Sequence, residues 1–474
     1  MGFVFYDTET TGTDTSFDQI LQFAAIHTDF QFNEIERFEI RCQLLPHIVP
    51  APGAMRVTKV RAAQLFDRLL HSHYEMVCKV REKLLAWSPA VFVGYNSLNF
   101  DEHLLRQAFY RTLHPAYLTN TNGNCRADAL KIVQATSLFV PDALVFPAGD
   151  NDETVFKLDW VAPANGFAHE RAHDALADVE ATIFMCRLVA ERAPDIWSVF
   201  MRFSQKAAVI EHISEEQIFC LSDFYFGKPY SWLVTVIGVN PAINSEFFVY
   251  DLSIDPETLI DLTEEQLADR LRRAPKPVRR LKANACPLIM SSDDAPPIAV
   301  ATQLRAEELA RRTEFLKANE DFRRVLISSF QSMREEPESS PHVEERIYDG
   351  FFSKSDEMLM AQFHTVPWED RIAIVERFED ERLRRMGQRL IHCERPDLLP
   401  VLKRAEYERR IAERICGIGG ETPWLTLAKA LQEIEELLEQ ADLAEIELLR
   451  EHKAHLFARL RAANEALENA GSRL

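Results

Sequence analysis

The sequence predicts a mixed α/β protein: a mixed sheet covered by helices over about residues 1–193, a small β-rich region over 194–347, and an almost wholly helical C-terminal part over 348–474. Three observations predict it. The first ninety residues carry short apolar runs with period-2 alternation, then strands alternate with helical patterns. Residues 231–239 (SWLVTVIGV) and 246–252 (EFFVYDL) are β-rich runs separated by turn residues. From about residue 350 the chain is Glu/Arg/Leu-rich with helical periodicity and few prolines.

In chain order, residues 2–6, 20–28 and 37–45 read as three strands of an antiparallel meander. Helical patterns follow at 58–70 and 73–87, then a buried strand at 90–95 (AVFVGY) and a helix over 101–112. A long helix opens near Asp174 and runs past Val189, with Asp174 as its N-cap. Past Arg192-Ala193-Pro194 the texture changes. Helices are expected at 263–273 and 305–333, and residues 334–345 (REEPESSPHVEE) read as a linker.

Composition excludes several classes. The chain has 474 residues, 47% hydrophobic and 27% charged, the balance of a soluble globular protein. No stretch nears the roughly 20 apolar residues of a bilayer span, so no membrane is expected. The N-terminus has no signal-peptide pattern, and a cytoplasmic location is expected. Eight cysteines lie far apart without a C-x-x-C pair and read as reduced thiols, neither a zinc site nor a disulfide frame. A net charge of -20 argues against a nucleic-acid partner only if it is evenly spread. It is not. Residues 270–282 hold Arg270, Arg272, Arg273, Lys276, Arg279, Arg280 and Lys282 without an acid, whereas 433–451 is strongly acidic.

Three short motifs carry chemistry. In Asp7-Thr8-Glu9-Thr10-Thr11-Gly12, the two carboxylates fall on one face of a strand, because side chains alternate. Like charges so placed call for a hard divalent cation between them. In Gly94-Tyr95-Asn96-Ser97-Leu98-Asn99-Phe100-Asp101, a strand runs through a turn into a helix that Asp101 opens, in the position of an N-cap. In His173-Asp174-Ala175-Leu176-Ala177-Asp178, residues five apart diverge on a continuous helix. His173 and Asp178 converge only if His173 lies in the turn before it. His27, His71 and His114 read as ordinary isolated histidines, and Tyr225, Phe226, Tyr230 and Trp232 as β-domain core.

D-x-E, then N-x-x-x-F-D, then H-x-x-x-x-D resembles the DEDD exonuclease superfamily, in its His subclass. Phe5 to Gly12 (FYDTETTG) is very like that superfamily's first motif, and the likeness covers roughly residues 1–190. Further stretches resemble the bacterial exodeoxyribonuclease I family: Gly94-Tyr95-Asn96 leading to Phe100-Asp101, Ala172 to Val179, Ala285-Cys286-Pro287-Leu288, and Tyr348 to Ser353 (YDGFFS). The resemblance implies a ribonuclease H-like exonuclease domain (1–193), an SH3-like domain with helical insertions (194–347) and a helical domain (348–474), closing as a C-shaped clamp. It implies processive 3′-to-5′ hydrolysis of single-stranded DNA to 5′-mononucleotides in DNA repair and recombination, used at the nucleoid. It implies two Mg²⁺ ions, with Mn²⁺ able to substitute. Asp7, Glu9 and Asp178 would hold the metal, Asp101 would support it, and His173 would take a proton from water. Glu9 and Lys157 would contact substrate. Thr8 stands where the family usually has Tyr. Lys157 stands where an arginine is expected, keeping the charge and losing the bidentate fork.

The resemblance also implies docking of the C-terminal tail of single-stranded DNA-binding protein, for which Arg305, Arg311 and Arg312 are candidates. A monomer is expected. The basic run is a candidate for phosphate contact within the clamp. Three other functions are open: an exoribonuclease trimming RNA 3′ ends, a catalytically idle DNA-binding protein that kept the fold, and a helical adaptor. The last leaves the N-terminal acids unexplained.

Overall fold

The computed structural model describes residues 2–168, 174–333 and 339–471. The first sheet has five strands: β1 (Phe3–Thr10), β2 (Ile20–Thr28), β3 (Glu34–Arg41), β4 (Val91–Gly94) and β5 (Cys125–Asp128), in the order β3-β2-β1-β4-β5. β1 pairs antiparallel with β2, placing Asp7 opposite Ala24, and parallel with β4, ending at Phe5 opposite Val93. β4 and β5 are parallel, with Gly94 opposite Asp128. This is the mixed sheet expected.

Alternation sorts the β1 side chains onto two cores. Phe3 and Phe5 pack with Val91, Val93, Ile132 and Val179, beneath the helices Ala129–Phe139 and Ala175–Arg192. Val4 and Tyr6 pack with Phe92, Val80 and Leu104, beneath His73–Ala86 and Asp101–Arg111. Continued along the strand, Asp7 and Glu9 face the helix that carries Asp178, and Thr8 faces the helix that Asp101 opens.

The second sheet is antiparallel, ordered β10-β6-β7-β8-β9, from Phe219–Tyr225 (β6), Lys228–Val239 (β7), Glu246–Asp251 (β8), Val278–Lys282 (β9) and Leu288–Ser291 (β10). Helices cover both of its faces. The C-terminal part is helical from Lys354–Phe363 to Leu443–Gly471. It folds back onto the first region: Arg61 pairs with Glu447 and Glu451, each at 2.8 Å, and Arg459 Nη1 donates to the Ile48 carbonyl at 2.8 Å. No helix among the described residues is long and apolar enough to cross a membrane.

Some expected elements differ. The helix expected at 58–70 is two short ones, Pro52–Thr58 and Ala62–Leu65. Lys59 turns left-handed between them, at φ 56°. The 305–333 helix breaks at Asn319 into Ala306–Ala318 and Glu320–Ser332. β1 does not stop at Tyr6. It runs through both acids to Thr10, and its pairing with β2 slips register between Glu9 and Thr10.

Candidate active site

The acids converge at the far end of β1. One carboxylate oxygen each from Asp7, Glu9 and Asp178 lies within 4.8 Å of the others. Asp178 sits in the first turn of Ala175–Arg192, a position fixed by Asp174. Asp174 is the N-cap, accepting from the Ala177 amide at 3.4 Å, and its other oxygen accepts from Arg41 at 3.0 Å and Gln22 at 3.3 Å. This is the structural role the sequence predicts for it.

Asp101 approaches from the opposite face. It is the first residue of its helix, with Phe100 as N-cap, so the cap position expected for Asp101 is off by one. The carboxylate is 4% exposed and accepts the Thr8 hydroxyl at 2.6 Å. Thr8, the residue that departs from the family pattern, thus clasps the fourth acid. The turn before Asp101 is held by a residue the sequence did not single out. Asp128, at the end of β5, accepts the amides of Asn96 at 2.8 Å and Leu98 at 3.1 Å. Asn96 lies at φ 59°, a left-handed position asparagine tolerates. Gly94 is required by close approach: a Cβ there would lie 2.9 Å from the Tyr6 carbonyl oxygen and 2.5 Å from Ser97 Cβ.

The electrostatics are those of crowded buried anions. Glu9 is pushed up to about 9 by burial, then by Asp178, Asp101 and Asp174, against the pull of Arg41. Asp7 is raised well above the carboxylate range by burial, then by Asp101, Asp178 and Glu9. Asp101 is pushed up to about 7 by burial, with the Thr8 hydrogen bond opposing. A set of hard oxygen donors that repel one another this strongly fits divalent cations, which remove the repulsion by binding between them.

His173 lies outside the described residues. Lys157 is exposed at the N-cap of Leu158–Ala164. Beside it, the Phe156 carbonyl accepts the Tyr95 hydroxyl, tying that stretch to the end of β4. Arg311 and Arg312 are engaged internally, Arg311 with Asp255, Glu257 and Glu308, and Arg312 with Glu308. Among the described residues Arg305 forms no ion pair of this kind; it is exposed at the N-cap of Ala306–Ala318.

A cavity of about 670 Å³ opens between the second sheet and the Ala129–Phe139 helix. Lys276, Arg279, Arg280 and Lys282 line it with Lys131, Tyr225 and Trp232. The basic run is therefore divided: its β9 half faces the cavity, while Arg270 closes the end of its own helix through the carbonyls of Arg273 and Pro275. The aromatic residues expected in the core are largely outside it. Tyr225 is 47% exposed, Phe226 98% and Tyr230 43%. Tyr230 and Trp232 stack at 6.2 Å, and the Arg279 guanidinium lies 3.5 Å from the Trp232 ring centre. Tyr225, Phe226 and Tyr230 cluster where the β6–β7 hairpin turns, beyond the packed part of the sheet, and this keeps their rings at the surface; alternation alone could not separate this from burial.

Comparison with known proteins places this geometry. The family described as Exonuclease matches residues 4–185, and the Exonuclease I C-terminal domain matches residues 341–458. Exodeoxyribonuclease I of Escherichia coli (strain K12) is 29% identical over 376 residues, covering 76% of this chain and 78% of the relative. The solved structure of E. coli Exonuclease I in complex with a dA16 oligonucleotide superposes with a TM-score of 0.84 at 24% identity, covering 96% of this chain and 99% of the other. A solved structure of SSB/Exonuclease I in complex with an inhibitor aligns with a TM-score of 0.81, also at 24% identity, covering 96% and 99%.

Proposed function

This chain belongs to the exodeoxyribonuclease I family, and from that premise we propose that it removes 5′-mononucleotides from the 3′ end of single-stranded DNA by metal-dependent phosphodiester hydrolysis, processively. The observation that carries the proposal is the convergence of Asp7, Glu9 and Asp178 within 4.8 Å, with Asp101 held beside them by Thr8. The exonuclease family implies a divalent metal. Mg²⁺, as two ions, is the metal we propose, since all-oxygen ligation with retained waters suits it, and Mn²⁺ substitutes.

Asp7, Glu9 and Asp178 hold the metal, and Asp101 supports it. Bound there, a pair of divalent ions would supply an activated water and positive charge beside the attacking and departing oxygens. The protein's own groups do the rest. Glu9 also meets the terminal 3′-hydroxyl. His173 accepts the proton of the attacking water, a task that suits an imidazole near neutral pH. Lys157 attracts a phosphate as a point charge. The strand's phosphates follow the cations of the β9 groove, and a base stacks on the exposed Tyr225.

The three regions at 1–193, 194–347 and 348–474 form the clamp that keeps the strand between cuts. The acidic tail of single-stranded DNA-binding protein docks nearby, with Arg305 as the remaining candidate contact. The working state is a monomer. The exoribonuclease alternative is not favoured, because the relatives are exodeoxyribonucleases and a solved relative holds a DNA oligonucleotide.

The test uses matched DNA and RNA oligonucleotides labelled at the 5′ end, with Mg²⁺ or with chelator. Single-stranded DNA should shorten stepwise from its 3′ end only when Mg²⁺ is present. Equal loss of RNA, or loss from the 5′ end, would overturn the proposal.

A further inference from the structure

A second cluster of metal-binding side chains stands apart from the carboxylates, where the C-terminal helices meet the first region. Cys78 lies on His73–Ala86, His114 follows Asp101–Arg111, and His364 caps Lys354–Phe363. One ligand atom from each falls within 4.8 Å of the other two. Cys78 Sγ is 3.5 Å from His114 Nε2. The two imidazole rings stack at 3.7 Å, 13° from parallel, so the His114 ring would have to turn about its Cβ–Cγ bond for both in-plane lone pairs to meet one ion. The eight cysteines predict no zinc site from their spacing, and none pairs with another cysteine. The fold instead supplies histidines, one of them some 250 residues further along the chain.

Hydrogen bonding prepares His364 as a ligand. Its Nε2 lies 3.1 Å from the Leu113 carbonyl oxygen, which only accepts, so Nε2 carries the hydrogen and Nδ1 keeps its lone pair. An imidazole anchored through its far N–H on a main-chain carbonyl is how metal-bound histidines are oriented. Nδ1 now accepts the Tyr74 hydroxyl at 2.9 Å, and that hydroxyl receives Arg371 Nη1 at 2.8 Å. The pair Tyr74–Arg371 remains intact if a metal takes the Nδ1 lone pair, because the buried hydroxyl can turn its proton to the Cys78 sulfur, which it already meets. A groove of about 370 Å³, lined by Arg81, Tyr110, His114 and Met360, reaches His114 from the surface and provides a way in.

We propose that Cys78, His114 and His364 bind one Zn²⁺ ion, with a water in the fourth position, and that this ion ties the C-terminal helices to the first region. One thiolate and two neutral imidazoles form a borderline-soft donor set with the tetrahedral count zinc takes. Mg²⁺, which needs oxygen ligands, is left to the carboxylates. On binding, the Cys78 thiol gives its proton to solvent and the sulfur bonds the metal. An ion held only by the docked arrangement stabilises it by mass action.

The test takes the reduced full-length chain as Asp178→Ala, so that the carboxylate site is disabled, and loads it with Co²⁺ or Zn²⁺. Co²⁺ bound by a thiolate absorbs in the near ultraviolet, and Co²⁺ bound by carboxylates does not. The expected result is one Co²⁺ per chain with that band, and a melting temperature raised by several degrees with Zn²⁺ and lowered again by chelator. Adding Cys78→Ser or, separately, His364→Ala should abolish the band and the shift while circular dichroism stays unchanged. No band in the Asp178→Ala protein, or a band that survives both further substitutions, overturns the site. A band without a melting shift overturns its role as a tie. Cys78→Ser alone should still degrade single-stranded DNA with Mg²⁺, so failure here is distinct from failure of the nuclease.

Discussion

Asp7 and Glu9 share a face and Thr8 takes the other because β1 alternates, and that parity decides which helix each side chain meets. The same rule lets D-x-E be read from the sequence as a cation site. The Asp101 and Asp178 motifs are legible only through their order along the chain. Asp128 is not legible at all, since it contacts the Asn96 turn across β4 and β5 and no local pattern marks it. Nor is the stacking of His114 on His364, because each looks ordinary where it stands. Buried histidines also set an acid limit. His73 is 4% exposed, and burial, followed by Arg111, pushes it down to about 3. An unfolded chain takes that proton below about 6.5, whereas the folded chain refuses it. The stabilisation is therefore complete above pH 6.5 and is lost as pH falls towards 3. Melting temperature should fall between pH 6 and 4, and His73→Gln should flatten part of that slope; an unchanged slope in the variant would count against it.

At the level of elements, the strand–turn–helix from β4 to Asp101 aims the fourth acid. Its fit depends on Gly94, where a methyl would press on Ser97 and on the Tyr6 carbonyl. Gly94→Ala should cost about 1–3 kcal/mol of stability, as overpacked cores do, and should lower cleavage by displacing Asp101. Denaturant unfolding together with single-turnover rates checks both; an unaffected variant would show that the turn has slack. Apolar runs made β2, β4 and the long Ala175–Arg192 helix easy to predict. β5 (Cys125–Asp128) and β6 (Phe219–Tyr225) escaped because four residues, or seven mixing polar and aromatic types, carry too little period-2 signal. The 58–70 helix failed for a different reason: its apolar Val60 and Leu65 pack with Leu44, Ile48 and Met55, and the Val60 carbonyl is held by His452 from the far end of the chain.

Across the whole molecule, a charge of -20 coexists with a groove lined by Lys131, Lys276, Arg279, Arg280 and Lys282. Two of these cations already face acids, Arg279 near Asp251 at 3.9 Å and Arg280 near Glu246 at 3.6 Å, which orients these two guanidinium groups. Binding of single-stranded DNA should weaken steeply with salt, with a log–log slope no steeper than about -3.5 if all five cations meet phosphates. Fluorescence anisotropy from 50 to 200 mM salt measures it, and a flat affinity would exclude the groove as the strand's path. Tyr225→Ala should weaken binding by about 1–3 kcal/mol, the usual value of one stacked base.

The central claim is that the gathered acids hold the metal on which cleavage depends, and are not the means of gripping DNA. Single-turnover digestion of end-labelled single-stranded DNA by Asp178→Ala, at saturating protein and Mg²⁺, tests it most directly. The rate should fall at least a thousand-fold, about 4 kcal/mol in the barrier, with DNA affinity within a few-fold of the parent chain. A variant that still cuts at near the parent rate would contradict it.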